Sequence, residues 1–291
     1  MSQKHIGIIG NGFVGSAIAA GFALHANVRV FDKNPQRSIN DLSETVSESE
    51  FVFISVPTPM KSVEGGEIDL TILDAAIDEL MTVHKGENFS FEKTIFIIKS
   101  TVIPGTTERY AAKYPHARFV FNPEFLTERS ANLDFINASR IVLGGNPEDI
   151  ARCSALYRDR FPYTKIVETD ARSAEFVKYM CNCFFTVKIS YMNEMYQAAH
   201  LVGCDWNKIM EGFIADGRIG NSHLDVPGHD GDLGFGGKCF PKDINAFMRY
   251  FRNSIEMEPL MLDAAWERNK RVRSNINWAK IEGAVSKGED E

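Results

Sequence analysis

The hexapeptide GNGFVG (Gly10, Asn11, Gly12, Phe13, Val14, Gly15) limits what this chain can fold into more than any other stretch. An apolar, strand-like run over residues 5–9 leads straight into it, and residues 13–26 repeat with helical periodicity. A second strand-like run over 27–31 ends at Asp32, 22 residues after Gly10. In a strand–turn–helix of this kind the first glycine permits the tight turn and the second lets backbone approach a pyrophosphate. The third lets helix and strand pack closely, and the helix N-terminus stabilises the negative charge. A carboxylate at Asp32 can accept hydrogen bonds from ribose hydroxyls and repels a 2′-phosphate, which predicts NAD in preference to NADP; Lys33 beside it pulls weakly the other way.

The rest of the first half continues the alternation. Strand-like runs at 51–56, 94–99, 118–121, 140–144 and 165–168 are separated by helical patterns, notably 69–84 and 148–161. Nearly continuous apolar strands imply a sheet covered on both faces. The expected fold is α/β, a Rossmann-like doubly wound parallel sheet over residues 1–168, followed by an all-helical dimerisation and catalytic-loop domain over 169–282 and a frayed tail over 283–291. The helical half reads as helices at 171–202, 204–214, 242–251 and 261–281, with a loop carrying seven glycines over 217–237.

Composition narrows the function. At 44% hydrophobic residues the 291-residue chain has material for real cores. A formal charge of −7 argues against a general nucleic-acid or membrane-surface binder. No apolar run has the roughly 18 residues of a membrane span. Five cysteines, odd in number and without framework spacing, predict thiols in a reducing cytoplasm, and the scattered histidines predict no metal site.

Four further motifs occur in order: VPTP (Val56, Pro57, Thr58, Pro59), KSTVIPGTT at 99–107, NPEFLTE at 122–128 and GFGGKCFPKD at 234–243. Together with GNGFVG they resemble the nucleotide-sugar dehydrogenases, the UDP-glucose 6-dehydrogenase and GDP-mannose dehydrogenase family, over nearly the whole chain. The resemblance implies an NAD-dependent oxidoreductase that oxidises a sugar C6 alcohol twice to a uronic acid, as in polysaccharide biosynthesis, using one enzyme thiol. It makes Cys239 the nucleophile, Lys178 and Asn182 the pair that polarises the reacting oxygen, and Asp243 the acid that positions water or accepts a proton. It makes Glu124 the acid of the NPEFL segment and Thr101 a water-orienting hydroxyl. Val56, Pro57, Thr58, Ser100, Thr101 and Glu128 join the glycine turn, Asp32 and Lys33 around the cofactor. Phe125, Leu126, Arg218, Gly236 and Lys242 join Glu124, Lys178 and Asn182 around the sugar nucleotide. Arg218 reaches the neighbouring subunit's sugar in dimeric members, so a homodimer is expected.

Residue chemistry agrees with these roles. Lys178 and Asn182 are four apart and share one face of a helix, where an ammonium and an amide can serve one oxyanion. Cys239 lies between Lys238 and Lys242 and before a helix starting near Pro241, and cations and a helix N-terminus both favour thiolate.

Three departures from the family are visible. Only 18 residues separate Asp32 from Phe51, the loop between Arg218 and Cys239 is long, and the sequence ends within about ten residues of the helix after which the family's third domain, which holds much of the nucleotide, is expected. Apolar surface at Leu260, Leu262, Trp266 and Trp278 is then expected to be bare for a partner copy. The substrate reading is UDP-glucose to UDP-glucuronate. The alternatives are GDP-mannose or a UDP-N-acetylhexosamine, a single-hydride 3-hydroxyacid-type dehydrogenase, or an inactive NAD-binding relative.

Overall fold

In the computed structural model, residues 3–83, 91, 93–127 and 129–286 are described. The chain divides into two compact units, 1–58 with 70–178, and 59–69 with 179–291.

The first unit is built on seven strands: β1 (Lys4–Ile9), β2 (Ala26–Phe31), β3 (Phe51–Ile54), β4 (Ile95–Ile98), β5 (Arg118–Phe121), β6 (Arg140–Gly145) and β7 (Lys165–Thr169). Between them run α1 (Phe13–Phe22), α2 (Leu42–Ser47), α3 (Thr71–Thr82), α4 (Thr106–Lys113), α5 (Ala131–Ile136) and α6 (Pro147–Arg160). The sheet order is β2-β1-β3-β4-β5-β6-β7. Alternation along each strand explains the unbroken apolar runs. Phe51 and Phe53 face one core with Phe22 and Tyr157, while Val52 and Ile54 face a second core with Leu73, Ile77 and Tyr110. Both faces are therefore dry, and a polar residue on either would be buried without a partner.

The expected sheet was wholly parallel. It is mixed: β6 runs antiparallel to β5, with Phe121 opposite Gly144, and β7 pairs parallel to β6. Three short helices escaped the sequence reading. Asp41 caps α2 by accepting from the Glu44 amide at 2.7 Å, so the trimmed stretch after Asp32 still holds a helix. Helices α4 and α5 run for only eight and six residues, too short for a period to register.

Helix α7 (Ala171–Leu201) passes from the first unit into the second, and the compact units divide within it, later than residue 168. The second unit adds α8 (Trp206–Ile214), α9 (Phe240–Ser254) and α10 (Leu260–Val272). Segment 59–69 also belongs to it: Met60 bonds through backbone to Ala284 and Ser286, and Trp278 Nε1 donates to Val63 O at 3.0 Å. Residues 283–286, expected to fray, are thus docked there.

The last helix ends earlier than expected, at Val272. The Asp232 carboxylate takes the Ser274 and Asn275 amides at 3.1 and 2.8 Å, which diverts them from a helical ladder. A separate 3₁₀ turn, Asn277–Ala279, buries Trp278 against Trp266. Both tryptophans are buried, so of the surface expected to be bare only Leu260 is exposed, with Leu262 half-buried. Along α7, Phe176, Met180, Phe184 and Tyr191 are also exposed.

Candidate functional site

The order β2-β1-β3 places a reversal of winding between β1 and β3, the crevice where open α/β sheets bind ligands. Gly10 turns out of β1 with φ +92°, and a side chain there would strike the Ser55 carbonyl at 2.8 Å. A methyl on Gly15 would fall 1.9 Å from Gly10 O, so this glycine is what lets α1 close on the turn. At Gly12 an added methyl meets no protein atom within 4 Å, which leaves room for a ligand against the backbone. The Asp32 carboxylate closes the turn by accepting from the Asn11 amide (2.7 Å) and the Asn34 amide (2.8 Å). A carboxylate offers about four acceptor positions, so two remain for ribose hydroxyls. The exposed Lys33 ammonium lies 3.9 Å from Glu79 and is not committed to this turn. These residues fit a dinucleotide.

Along the same edge Ser100 Oγ donates to Val56 O at 2.7 Å, tying the ends of β4 and β3, and Thr58 and Thr101 are buried nearby in sequence. The loop after β4 is anchored by a residue the sequence reading passed over. Glu175 of α7, fully buried, accepts from Gly105 N (2.5 Å), Thr107 N (2.8 Å) and Thr107 Oγ1 (2.7 Å), and so caps α4. Burial pushes its carboxyl up to about 6, against those hydrogen bonds, which favour the ionised form.

Beyond β5, Lys178 Nζ donates to Glu124 Oε1 at 2.6 Å and to Glu124 O at 2.7 Å, with both side chains buried. Glu124 Oε2 accepts the Leu126 amide at 2.8 Å. Phe125 lies under the Arg140 guanidinium, 4.0 Å from ring centroid to cation. Glu124, Phe125 and Leu126 line a cavity of about 330 Å³ together with Lys99 and Asn122. Glu128 lies outside the described residues.

In the second unit Cys239, half-buried, occupies the N-cap of α9, and its carbonyl accepts the Asp243 amide at 2.8 Å. The helix N-terminus favours thiolate there. Lys238 Nζ donates to Glu282 O, and buried Lys242 pairs with Asp243. The fully buried Asp243 carboxylate also accepts Asn182 Nδ2 at 2.5 Å. Lys178 and Asn182, which share a helix face by spacing, therefore each hold a carboxylate. Arg218 is 89% exposed and clasps Asp216 within its own turn. Gly236 packs against the Arg273 guanidinium, where a methyl would lie 2.4 Å from it.

Four residues that shape the loop before Cys239 carried no sequence signal, because they lie on distant elements. Asn269 takes the Phe235 amide on Oδ1 (2.7 Å) and returns Nδ2 to Phe235 O (3.0 Å). Asn193 accepts Gly234 N, Asn277 accepts Gly237 N, and Arg273 pairs with Asp230.

The architecture is thus a dinucleotide-binding α/β unit followed by a helical unit with a cysteine at a helix N-cap. Residues 28–160 match the NAD binding domain of the UDP-glucose/GDP-mannose dehydrogenase family, and residues 172–271 match its central domain. The chain belongs to that family, and its first unit binds NAD. It is 30% identical to the UDP-glucose 6-dehydrogenase TuaD of Bacillus subtilis, over 94% of this chain and 64% of that protein. It is 31% identical to the UDP-glucose 6-dehydrogenase AglM of Haloferax volcanii, over 91% of this chain and 69% of that protein. A UDP-glucose dehydrogenase structure from Pyrobaculum islandicum superposes with a TM-score of 0.78 at 30% identity, covering 93% of this chain and 68% of that one. The chain spans about half to two thirds of the length of the curated relatives it matches. Among the described residues no helix is long and apolar enough to cross a membrane.

Proposed function

We propose that the protein is an NAD-dependent nucleotide-sugar 6-dehydrogenase that converts UDP-glucose to UDP-glucuronate in the cytoplasm, through Cys239. The observation that carries the reading is the thiol at the N-cap of α9 with the Asp243–Asn182 pair one turn behind it. The glycine turn would hold two NAD in succession, each an acceptor for one hydride, and loss of the first hydride with the hydroxyl proton turns the C6 alcohol into an aldehyde. The Cys239 thiolate adds to the C6 aldehyde carbon, and the carbonyl electron pair moves to oxygen, which takes a proton. Loss of the C6 hydride, with the hydroxyl proton passing to a carboxylate, leaves a thioester. Water then attacks its carbonyl, the C–S bond breaks, and the thiolate returns as the carboxylate departs. Lys178 and Asn182 are the donors for oxygen charge, Glu124 and Asp243 the carboxylates that take protons, and Thr101 the hydroxyl that orients water. Arg218 and Lys242 are the cations assigned to the sugar nucleotide.

Homodimerisation through the helical half belongs to the same proposal. Phe176, Met180, Phe184 and Tyr191 recur at helical spacing on α7 and are exposed, and such a stripe marks an interface. Light scattering at micromolar concentration should give twice the chain mass, and a monomer would refute the pairing.

The test is an NAD-reduction screen over UDP-glucose, GDP-mannose and UDP-N-acetylhexosamines. Two NADH per UDP-glucose support the reading. One NADH per substrate would remove the thiol route, and a response only to another sugar nucleotide would reassign the substrate.

A further inference from the structure

Lys99 is a buried lysine that the chemistry above does not use. It sits one residue past β4, 5% exposed, on the wall of the cavity beneath Glu124. Its Nζ donates to Asn122 Oδ1 at 3.0 Å and lies 3.5 Å from Pro123 O. Asn122 is itself fixed. Its Oδ1 also accepts the Tyr157 hydroxyl at 2.5 Å, and its Nδ2 donates to Val142 O at 2.7 Å. Two residues further on, Lys178 donates to both the carbonyl and the carboxylate of Glu124. The Asn122-Pro123-Glu124 segment is therefore held by two ammonium groups, Lys178 from α7 and Lys99 from the end of β4.

A simple packing role does not need a lysine. A buried ammonium carries a large desolvation cost, and Met would fill similar space without it. What Lys99 supplies beyond shape is a positive charge and donors on the far side of the segment that presents Glu124. The groups facing it are Glu124 after β5, Lys178 on α7 and Tyr157 on α6 through Asn122, with Arg140 and Asp134 on the cavity wall.

We infer that Lys99 is a positioning residue for the Glu124–Lys178 pair, fixing the Asn122-Pro123-Glu124 segment by hydrogen bonds and coupling its own charge to both partners. The inference rests on the proposed function for its place in catalysis, and on the geometry alone for the coupling. Burial pushes the Lys99 ammonium down to about 7, Glu124 opposes that shift, and Lys178 adds to it.

The experiment is an NMR pH titration of lysine side chains in the full chain labelled with ¹³C,¹⁵N-lysine, with Lys99 assigned by its loss in Lys99→Met. Lys99 should titrate near 7 in the unmodified protein. Its midpoint should fall by about 1 unit in Glu124→Gln and rise in Lys178→Met. A midpoint at the ordinary lysine value, or one unmoved by Glu124→Gln, overturns the coupling. If Lys99→Met does not fold, Lys99→Gln supplies the assignment. Kinetically, Lys99→Met should lower kcat about tenfold, the counterpart of one unit of coupling, and leave KM for NAD unchanged. Equal losses in kcat and NAD affinity would mark a merely structural role. An unmodified protein that reduces no NAD with any sugar nucleotide would defeat the proposed function, and the titration would still decide the coupling.

Discussion

At the cofactor turn, Gly10 and Gly15 are pressed against each other and against Ser55, so each glycine is required by atoms of the same strand–turn–helix or of the adjoining strand. In the loop before Cys239, Gly234 is pressed against Asn269, where a methyl would sit 2.2 Å from Oδ1, and the amide of Phe235 is taken by the same side chain 34 residues away. One site is specified locally and the other by elements that arrive late in the chain. A local site can be read as a motif and should tolerate change elsewhere. A remotely held site should fail from a distance, through residues with no chemistry of their own.

Four experiments press on that contrast. The largest effect is expected at the thiol: Cys239→Ser should abolish uronate formation while NAD binding persists, since a hydroxyl without thiolate character is a poor nucleophile at neutral pH. Product analysis by mass spectrometry checks it, and normal uronate yield would take Cys239 out of the reaction. Next, Lys178→Ala and Asn182→Ala should each lower kcat about 100–1000-fold, the usual cost of losing an oxyanion donor, with NAD affinity retained. Steady-state kinetics beside NAD titration separate the two quantities, and a mutant that chiefly loses NAD affinity has been assigned to the wrong end of the chemistry.

The third asks whether the thiol loop fails from afar. Asn269→Ala strands the buried amide and carbonyl of Phe235 and should destabilise the fold by about 2–3 kcal/mol. Denaturant unfolding measures this, and a loss below about 0.5 kcal/mol would mean that Asn269 does not hold the loop. The fourth tests the first unit through pH. Glu175 has its carboxyl raised to about 6 from an ordinary value near 4.5, so the folded state holds that proton more tightly than the unfolded state. Its contribution is fully present below 4.5 and is lost as pH rises through 6, a decline of up to about 2 kcal/mol. Stability measured from pH 4.5 to 7 should show that slope, and Glu175→Gln should flatten it; an unchanged slope would assign it to other groups.

The same contrast explains what was legible beforehand. Strands β3 and β4 were readable because burial on both faces leaves a continuous apolar run, and GNGFVG because its constraints lie within about twenty residues. Motif identity singled out Cys239, Asp243, Glu124, Lys178 and Asn182 as candidates, but spacing could not show that Lys178 and Asn182 each bind a carboxylate, or that Lys242 is turned onto Asp243. The antiparallel placement of β6 was invisible, since strand direction leaves no periodic trace. Asn269 and Glu175 were missed because a polar residue in a helical pattern reads as solvent-facing until its partner's position in space is known.

Reversing β6 and β7 has a mechanical consequence for the long helix. Had all seven strands run one way, the last would have ended at the ligand edge, and the helix after it would have carried its first turns away from that edge. Because β7 runs the other way, to a Thr169 that pairs with Gly144 and so lies level with Phe121 at the end of β5, α7 starts there and heads toward the loops that follow β4 and β5. From Ala171 to Lys178 the rise is about 10 Å at 1.5 Å per residue. Within that span Glu175 reaches the loop after β4, and Lys178 the segment after β5. A change of direction in two strands thus acts as a ruler: insert or delete one residue between Ala171 and Glu175, and the helix face that grips both loops turns by about 100° away from them.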